Sequence, residues 1–174
     1  MARIVPMSVV GNWVRETKRF APSLRVMVHH GLERAAGETL RDKVLASDLV
    51  VTTYALAHRD REDLSKIPWS RVVLDEAQNI KNPDSQAARA AFRLRADARF
   101  ALTGTPVENR LGDLHSLFEF INPGLLGARR AFDAAVKRMA ADPVRRYAPL
   151  RALVSPYILR RLKSDKSVIA DLPD

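Results

Sequence analysis

The 174-residue sequence contains no cysteine, which excludes disulfides and thiolate metal sites and fits a reducing compartment. Long apolar runs are missing too: none approaches the ~18 residues needed to span a bilayer, so no membrane association is expected. The N-terminus lacks the charged, apolar and cleavable regions of a secretion signal, and a cytoplasmic location is expected. Histidine is scarce and badly spaced for metal. His29, His30, His58 and His115 form neither an H-x₃-H nor an HExxH pattern, so they read as loop or surface residues. Glycine is sparse as well. None of the seven glycines (11, 31, 37, 104, 112, 124 and 127) is followed by lysine, so these residues hold no G-x-x-x-x-G-K-[ST] phosphate cradle.

What is present suits a globular chain. Hydrophobic residues make up 47%, enough at this length for one domain with a real core. The net charge is +9, and residues 129–174 carry eleven Lys/Arg against five Asp/Glu. Clustered positive charge suits a polyphosphate partner such as nucleic acid, although solvated arginine-rich faces would give the same balance.

The strongest local signal is a hydrophobic strand ending in two acids, Arg71-Val72-Val73-Leu74-Asp75-Glu76-Ala77-Gln78. A second run, Ala98-Arg99-Phe100-Ala101-Leu102, leads into Thr103-Gly104-Thr105-Pro106. Short β-branched and apolar runs bounded by polar residues read as strands buried on both faces of a parallel sheet. Ligands of open α/β sheets sit outside the carboxyl ends of such strands. Asp75 and Glu76 are thereby placed to hold a metal-bound phosphate and activate a water, a Walker B arrangement in which the aspartate serves Mg²⁺. The pair could equally cap the next turn. Thr103 and Thr105, flanking Gly104 at the neighbouring strand end, favour the chemical reading, because their hydroxyls can bond both the acidic loop and a γ-phosphate.

The remaining pattern alternates strand and helix. Ile4-Val5 forms a strand stub, and Ser8 can cap a helix to about Phe20 with Val9, Trp13, Thr17 and Phe20 on one stripe. Leu24–His29 and Leu49–Thr53 read as strands, Glu33–Ala46 as a helix and Tyr54–Lys66 as helical pieces. Asn79–Asp84 reads as a loop and Ser85–Leu94 as an Ala-rich helix. Repetition of this kind implies βαβ units, hence an α/β parallel sheet with helices on both faces. After Pro106 come helices alone: Leu111–Ile121, Arg129–Ala141 and Val144–Val154. The expected division is a partial lobe over 1–122, a helical appendage over 123–158 and a linker over 159–174.

These segments resemble the motifs of Swi/Snf-type translocases, which are superfamily 2 helicase-like ATPases. Asp75-Glu76-Ala77-Gln78 and Leu102-Thr103-Gly104-Thr105-Pro106 are similar to motifs II and III, and Pro6-Met7-Ser8-Val9-Val10-Gly11-Asn12-Trp13 to motif Ia. Thr52-Thr53-Tyr54 resembles the following DNA-facing motif, and Leu117–Gly124 the helix after motif III. Arg160–Lys166 with Asp171-Leu172-Pro173 resembles the approach to a second lobe. The resemblance implies a first RecA-like lobe of the P-loop NTPase type that works with ATP and Mg²⁺ on double-stranded DNA. It assigns Asp75 to the metal, Glu76 to the water and Gln78 to the lobe interface, where many relatives have His. Thr103, Gly104 and Thr105 would couple nucleotide to DNA, and Asn12, Trp13, Thr52, Thr53 and Lys81 would lie along the DNA. It also places the phosphate-binding loop before Met1 and a second RecA-like lobe, with its arginine finger, beyond Asp174, so residues 1–174 alone are expected to be inactive. A bacterial source would imply nucleoid association. Two rivals stand beside this reading. One is a non-catalytic lobe that docks DNA or a protein partner; the other, a small Walker-B-type kinase, leaves the motif Ia segment unexplained.

Overall fold

The computed structural model describes residues 1–104, 111–141 and 146–160. Its first compact unit spans Met1–Arg129 and its second begins at Arg130. In the first unit, β1 (Ala2–Val5) leads through a 3-10 turn (Met7–Val9) to α1 (Val10–Phe20), then β2 (Val26–Val28), α2 (Gly37–Leu45) and β3 (Leu49–Thr53). There follow α3 (Tyr54–Arg59), α4 (Arg61–Lys66), β4 (Trp69–Leu74), a 3-10 turn (Ala77–Ile80), α5 (Gln86–Arg93), β5 (Ala96–Ala101) and α6 (Leu111–Ile121). The second unit contains α8 (Ala148–Val154) and nearly all of α7 (Arg129–Ala140), which opens on the last residue of the first. Among the described residues no helix is long and apolar enough to cross a membrane.

All strand pairs are parallel, in the order β2-β3-β1-β4-β5. The register aligns the strand ends, since Ile4 lies opposite both Thr52 and Leu74, and Leu74 opposite Ala101. Pro6, Tyr54, Asp75 and Leu102 therefore leave the sheet along one rim. Period-2 alternation sends Ile4, Val50, Val72 and Leu74 to one face, against Leu40, Leu64, Ala88, Ala91, Leu117 and Phe120 of the helices. Val5, Leu49 and Val51 face the other way, onto Val10 and Trp13 of the α1 region. Helices thus cover both faces, as the alternation of elements predicts.

Several boundaries depart from expectation for local reasons. Ser8 does not cap α1; it lies inside the 3-10 turn, which Val9 N–H closes on the Pro6 carbonyl (3.1 Å). Phe20 leaves the buried stripe and is 72% exposed, beneath the Arg19 guanidinium. The second helix starts at Gly37 rather than Glu33, because Arg34 is drawn to Asp60 and Gly37 N–H donates to Asp63. β5 is an edge strand among the described residues, so Phe100 is exposed instead of buried. His29 and His115 are buried, contrary to a surface placement: His29 bonds Asp60 (2.8 Å) and His115 the Gly127 carbonyl (2.9 Å). Ser85 caps α5 by accepting from Ala88 N–H, and the sequence reading of α6 matches its observed bounds.

Asp48 fastens the approaches to β2 and β3 by accepting from the Arg25 backbone N–H, Nε and Nη2 at 2.9–3.0 Å. These bonds, the side-chain ones foremost, hold its carboxyl down to about 2. A carboxyl whose pKa is depressed by folding stabilises the fold above its unfolded value and loses that contribution as pH falls through the folded one. The thermal midpoint should therefore drop as pH falls from about 4 to about 2. Asp48→Asn should flatten that drop, as read by melting at a series of pH values. An identical pH slope in the variant would show that the clamp contributes nothing.

Candidate nucleotide site and nucleic-acid interface

Asp75 continues the line of β4 by one residue, its N–H donating to the Ile4 carbonyl at 2.8 Å. Its side chain is gripped on both oxygens. Oδ1 accepts the Glu76 backbone N–H (2.9 Å) and Oδ2 accepts the Trp13 indole Nε1–H (2.6 Å). Glu76 then turns the chain out of the strand in the left-handed region (φ 50°, ψ 54°), at a cost of about 1 kcal/mol or more for a residue with a Cβ. The turn is held in place because the Glu76 carbonyl accepts from both the N–H and the side-chain Nδ2 of Asn79. From beneath, the Tyr54 hydroxyl donates to the Asp75 carbonyl at 2.7 Å. Burial foremost, then the charges of Asp75 and Glu76, pushes the Tyr54 phenol pKa up, so it remains a donor.

The exposed Glu76 carboxylate accepts from Gln78 Nε2 (2.6 Å), and Gln78 Oε1 accepts from Thr103 Oγ1 (2.9 Å). One chain of side chains thus joins the ends of β4 and β5. The backbone repeats the link, with Leu102 N–H on the Leu74 carbonyl and Ala77 N–H on the Leu102 carbonyl, both at 2.8 Å. Gly104 follows in an exposed bend, and Thr105 lies outside the described residues, as does the segment Arg161–Lys166. Two carboxylates, an amide and a hydroxyl are hard oxygen donors of the kind Mg²⁺ takes. No cluster of three or more His, Cys, Asp or Glu among the described residues could enclose a metal by itself. The donor set fits a cation bound through one carboxylate together with nucleotide phosphates.

The residues expected along DNA fall into two groups. Asn12 is exposed on α1, its Oδ1 accepting from Arg15 Nη2. The others are engaged internally. Trp13 gives its single N–H to Asp75, and Thr52, buried, donates its hydroxyl to the His29 carbonyl (3.1 Å). Thr53 Oγ1 accepts from Leu56 N–H and caps α3, while Lys81 Nζ lies 3.6 Å from the Asp113 carboxylate. Sequence reasoning missed the Trp13 and Tyr54 contacts to the acidic turn. Spacing holds no signal for the first; the second was findable, since a buried tyrosine beside a strand end must place its hydroxyl on an acceptor.

Known proteins share this arrangement of elements. The SWI2/SNF2 ATPase core of Sulfolobus solfataricus, solved in complex with double-stranded DNA, superposes with a TM-score of 0.82 and is 41% identical, covering 99% of this chain and 36% of that one. The fold is therefore that of a RecA-like lobe. The Bacillus subtilis protein YwqA is 42% identical over 173 residues, and the TATA-binding protein-associated factor MOT1 of Saccharomyces cerevisiae 37% over 183. Each match takes in 98% of this chain, but only 19% and 10% of those proteins. A model of the SNF2-related domain matches residues 3–174, and the chain belongs to that family.

Proposed function

We propose that this chain is part of an ATP-dependent double-stranded DNA translocase or remodelling ATPase, contributing hydrolytic residues and backbone contacts to DNA. The observation that carries the reading is the Glu76–Gln78–Thr103 hydrogen-bond chain across two strand ends. It ties the water-activating acid to the segment that leads on through Gly104 and Thr105 to α6, and so gives nucleotide and DNA a shared mechanical element.

Asp75 would hold Mg²⁺, which when bound neutralises phosphate charge. Its carboxylate arrives already oriented by two donors, so little ordering is left for the moment of binding. Glu76, exposed at the turn, orients the attacking water or takes its proton. Gln78 holds Glu76 from the side and reports its position to Thr103. Thr103 and Gly104 would lie by the γ-phosphate, with Thr105 assigned to the same group by sequence alone, and a second RecA-like lobe would close the cleft. On the DNA side, Asn12 would donate to a phosphate and the Thr52-Thr53 segment would frame the track, with Lys81 and the basic C-terminal third adding longer-range attraction. Work on DNA would place the protein in the cytoplasm, at the nucleoid in a bacterium.

Such contacts read phosphates rather than bases, so affinity should fall steeply with salt and differ little between two unrelated duplexes. Asn12→Ala, which removes a neutral donor, should cost about 0.5–1.5 kcal/mol and leave the salt slope unchanged. Fluorescence anisotropy of the natural full-length chain across a salt series measures both. Salt-independent binding, or a strong preference for one duplex, would overturn the DNA-tracking reading in favour of a docking module.

A further inference from the structure

The Trp13 indole is turned into the protein. Its N–H ends on Asp75 Oδ2 at 2.6 Å, and its face is covered by the Arg3 guanidinium, whose Cζ lies 3.5 Å from the ring centroid. Arg3 sits on the central strand β1, and its Nε and Nη1 are buried without a hydrogen-bond partner. A half-buried cation with two buried, unbonded nitrogens is helped by a nearby counter-charge. Asp75 is the acid whose charge it feels, opposing the effect of burial on its pKa. Arginine, indole and carboxylate therefore form a stack running from the sheet to the acidic turn.

Each partner of the carboxylate has a separate origin. The Glu76 N–H belongs to the same turn and moves with it. The indole N–H comes from α1, the helix that also presents Asn12 one residue earlier. Trp13 is packed against Val5, Val10, Leu49 and Val51, so it has little freedom to follow the turn if the turn moves. An indole is rigid beyond two side-chain torsions, and a charge-assisted hydrogen bond at this length is among the stronger ones a neutral donor makes.

We infer that Trp13 is the positioning residue of the metal-holding carboxylate: it fixes the plane of Asp75 and couples that plane to α1, with Arg3 clamping the indole in place. This rests on the role given to Asp75 above. The indole N–H does not touch nucleotide and transfers no proton. It sets where the carboxylate points before cation and phosphate arrive.

The test replaces Trp13 in the natural full-length chain with 3-benzothienylalanine, which keeps the shape of the ring system and exchanges N–H for sulfur. Two quantities are read: the ATP kcat and KM with duplex DNA present, and the Mg²⁺ concentration needed for half-maximal binding of a fluorescent ATP analogue. Loss of one hydrogen bond to a charged group should lower kcat about 10-fold with KM within about twofold. The Mg²⁺ requirement should rise by about the same factor as kcat falls, while the protein still melts cooperatively, with its midpoint lowered by only a few degrees. Trp13→Phe, which also lacks the donor, should reproduce both shifts. Asp75→Asn is measured alongside. If it abolishes hydrolysis while the benzothienyl protein matches wild type in kcat and Mg²⁺ dependence, the positioning role is wrong and the site assignment stands. If Asp75→Asn hydrolyses ATP normally, the assignment of Asp75 fails and the inference fails with it.

Discussion

Glu76→Gln in the natural full-length chain is expected to lower ATP hydrolysis about 10²-fold or more while nucleotide binding is retained. Glutamine matches glutamate in size and can still accept from Gln78 Nε2, so the chain through Thr103 need not break. The turn geometry also survives, because the Asn79 bonds go to the residue 76 carbonyl and not to its side chain. What disappears is the carboxylate proposed above to orient or deprotonate water. Steady-state hydrolysis paired with equilibrium nucleotide binding separates the two effects. Turnover near the wild-type level would remove Glu76 from the mechanism.

Phe120→Ala should produce the largest loss of stability, about 3–5 kcal/mol. The ring is fully buried, meets Phe92 edge-on with centroids 6.2 Å apart, and lies 5.4 Å from the Arg99 guanidinium carbon. Arg99 reaches across to the carbonyls of Phe120 and Leu94, near the ends of α6 and α5, where a cation suits the helix dipoles. Emptying that space would loosen the packing of α6 on the sheet. Ser116 on the same helix donates to the Ile80 carbonyl at the end of the acidic turn, so the damage should extend towards the site. Denaturant unfolding of wild type and variant measures the loss; a change below about 1 kcal/mol would mean that the space closes by repacking.

Much of this architecture is legible from pattern alone. The run Leu49–Thr53 is buried at every position because it lies inside a parallel sheet, and Leu111–Ile121 keeps one apolar stripe from end to end. Ser85 announces α5 because a hydroxyl three residues before a free amide is a local event. Ser8 misleads because Pro6 closes a tighter turn first, and Glu33 because a distant carboxylate, Asp60, captures Arg34. The acids of the site are similarly readable, being fixed by a strand end. Their donors are not: Trp13 and Asp75 are 62 residues apart, and only the β1–β4 pairing brings α1 over the turn. Thr52 and Thr53 show the reverse, two polar residues whose hydroxyls are committed inward, Thr52 to the His29 carbonyl and Thr53 to the cap of α3.

The backbone of Glu76 sets two kinds of selection against each other. Glycine is the residue that a φ of 50° favours, and Glu76→Gly would relieve about 1 kcal/mol of conformational cost. A laboratory search for heat-resistant variants, scored by survival of the fold, would therefore enrich glycine here and return proteins that melt later and no longer work. A search scored by turnover would restore the acid and accept the lower melting point. Position 76 is thus a poor target for consensus stabilisation, and it should be held constant when this lobe is engineered for robustness.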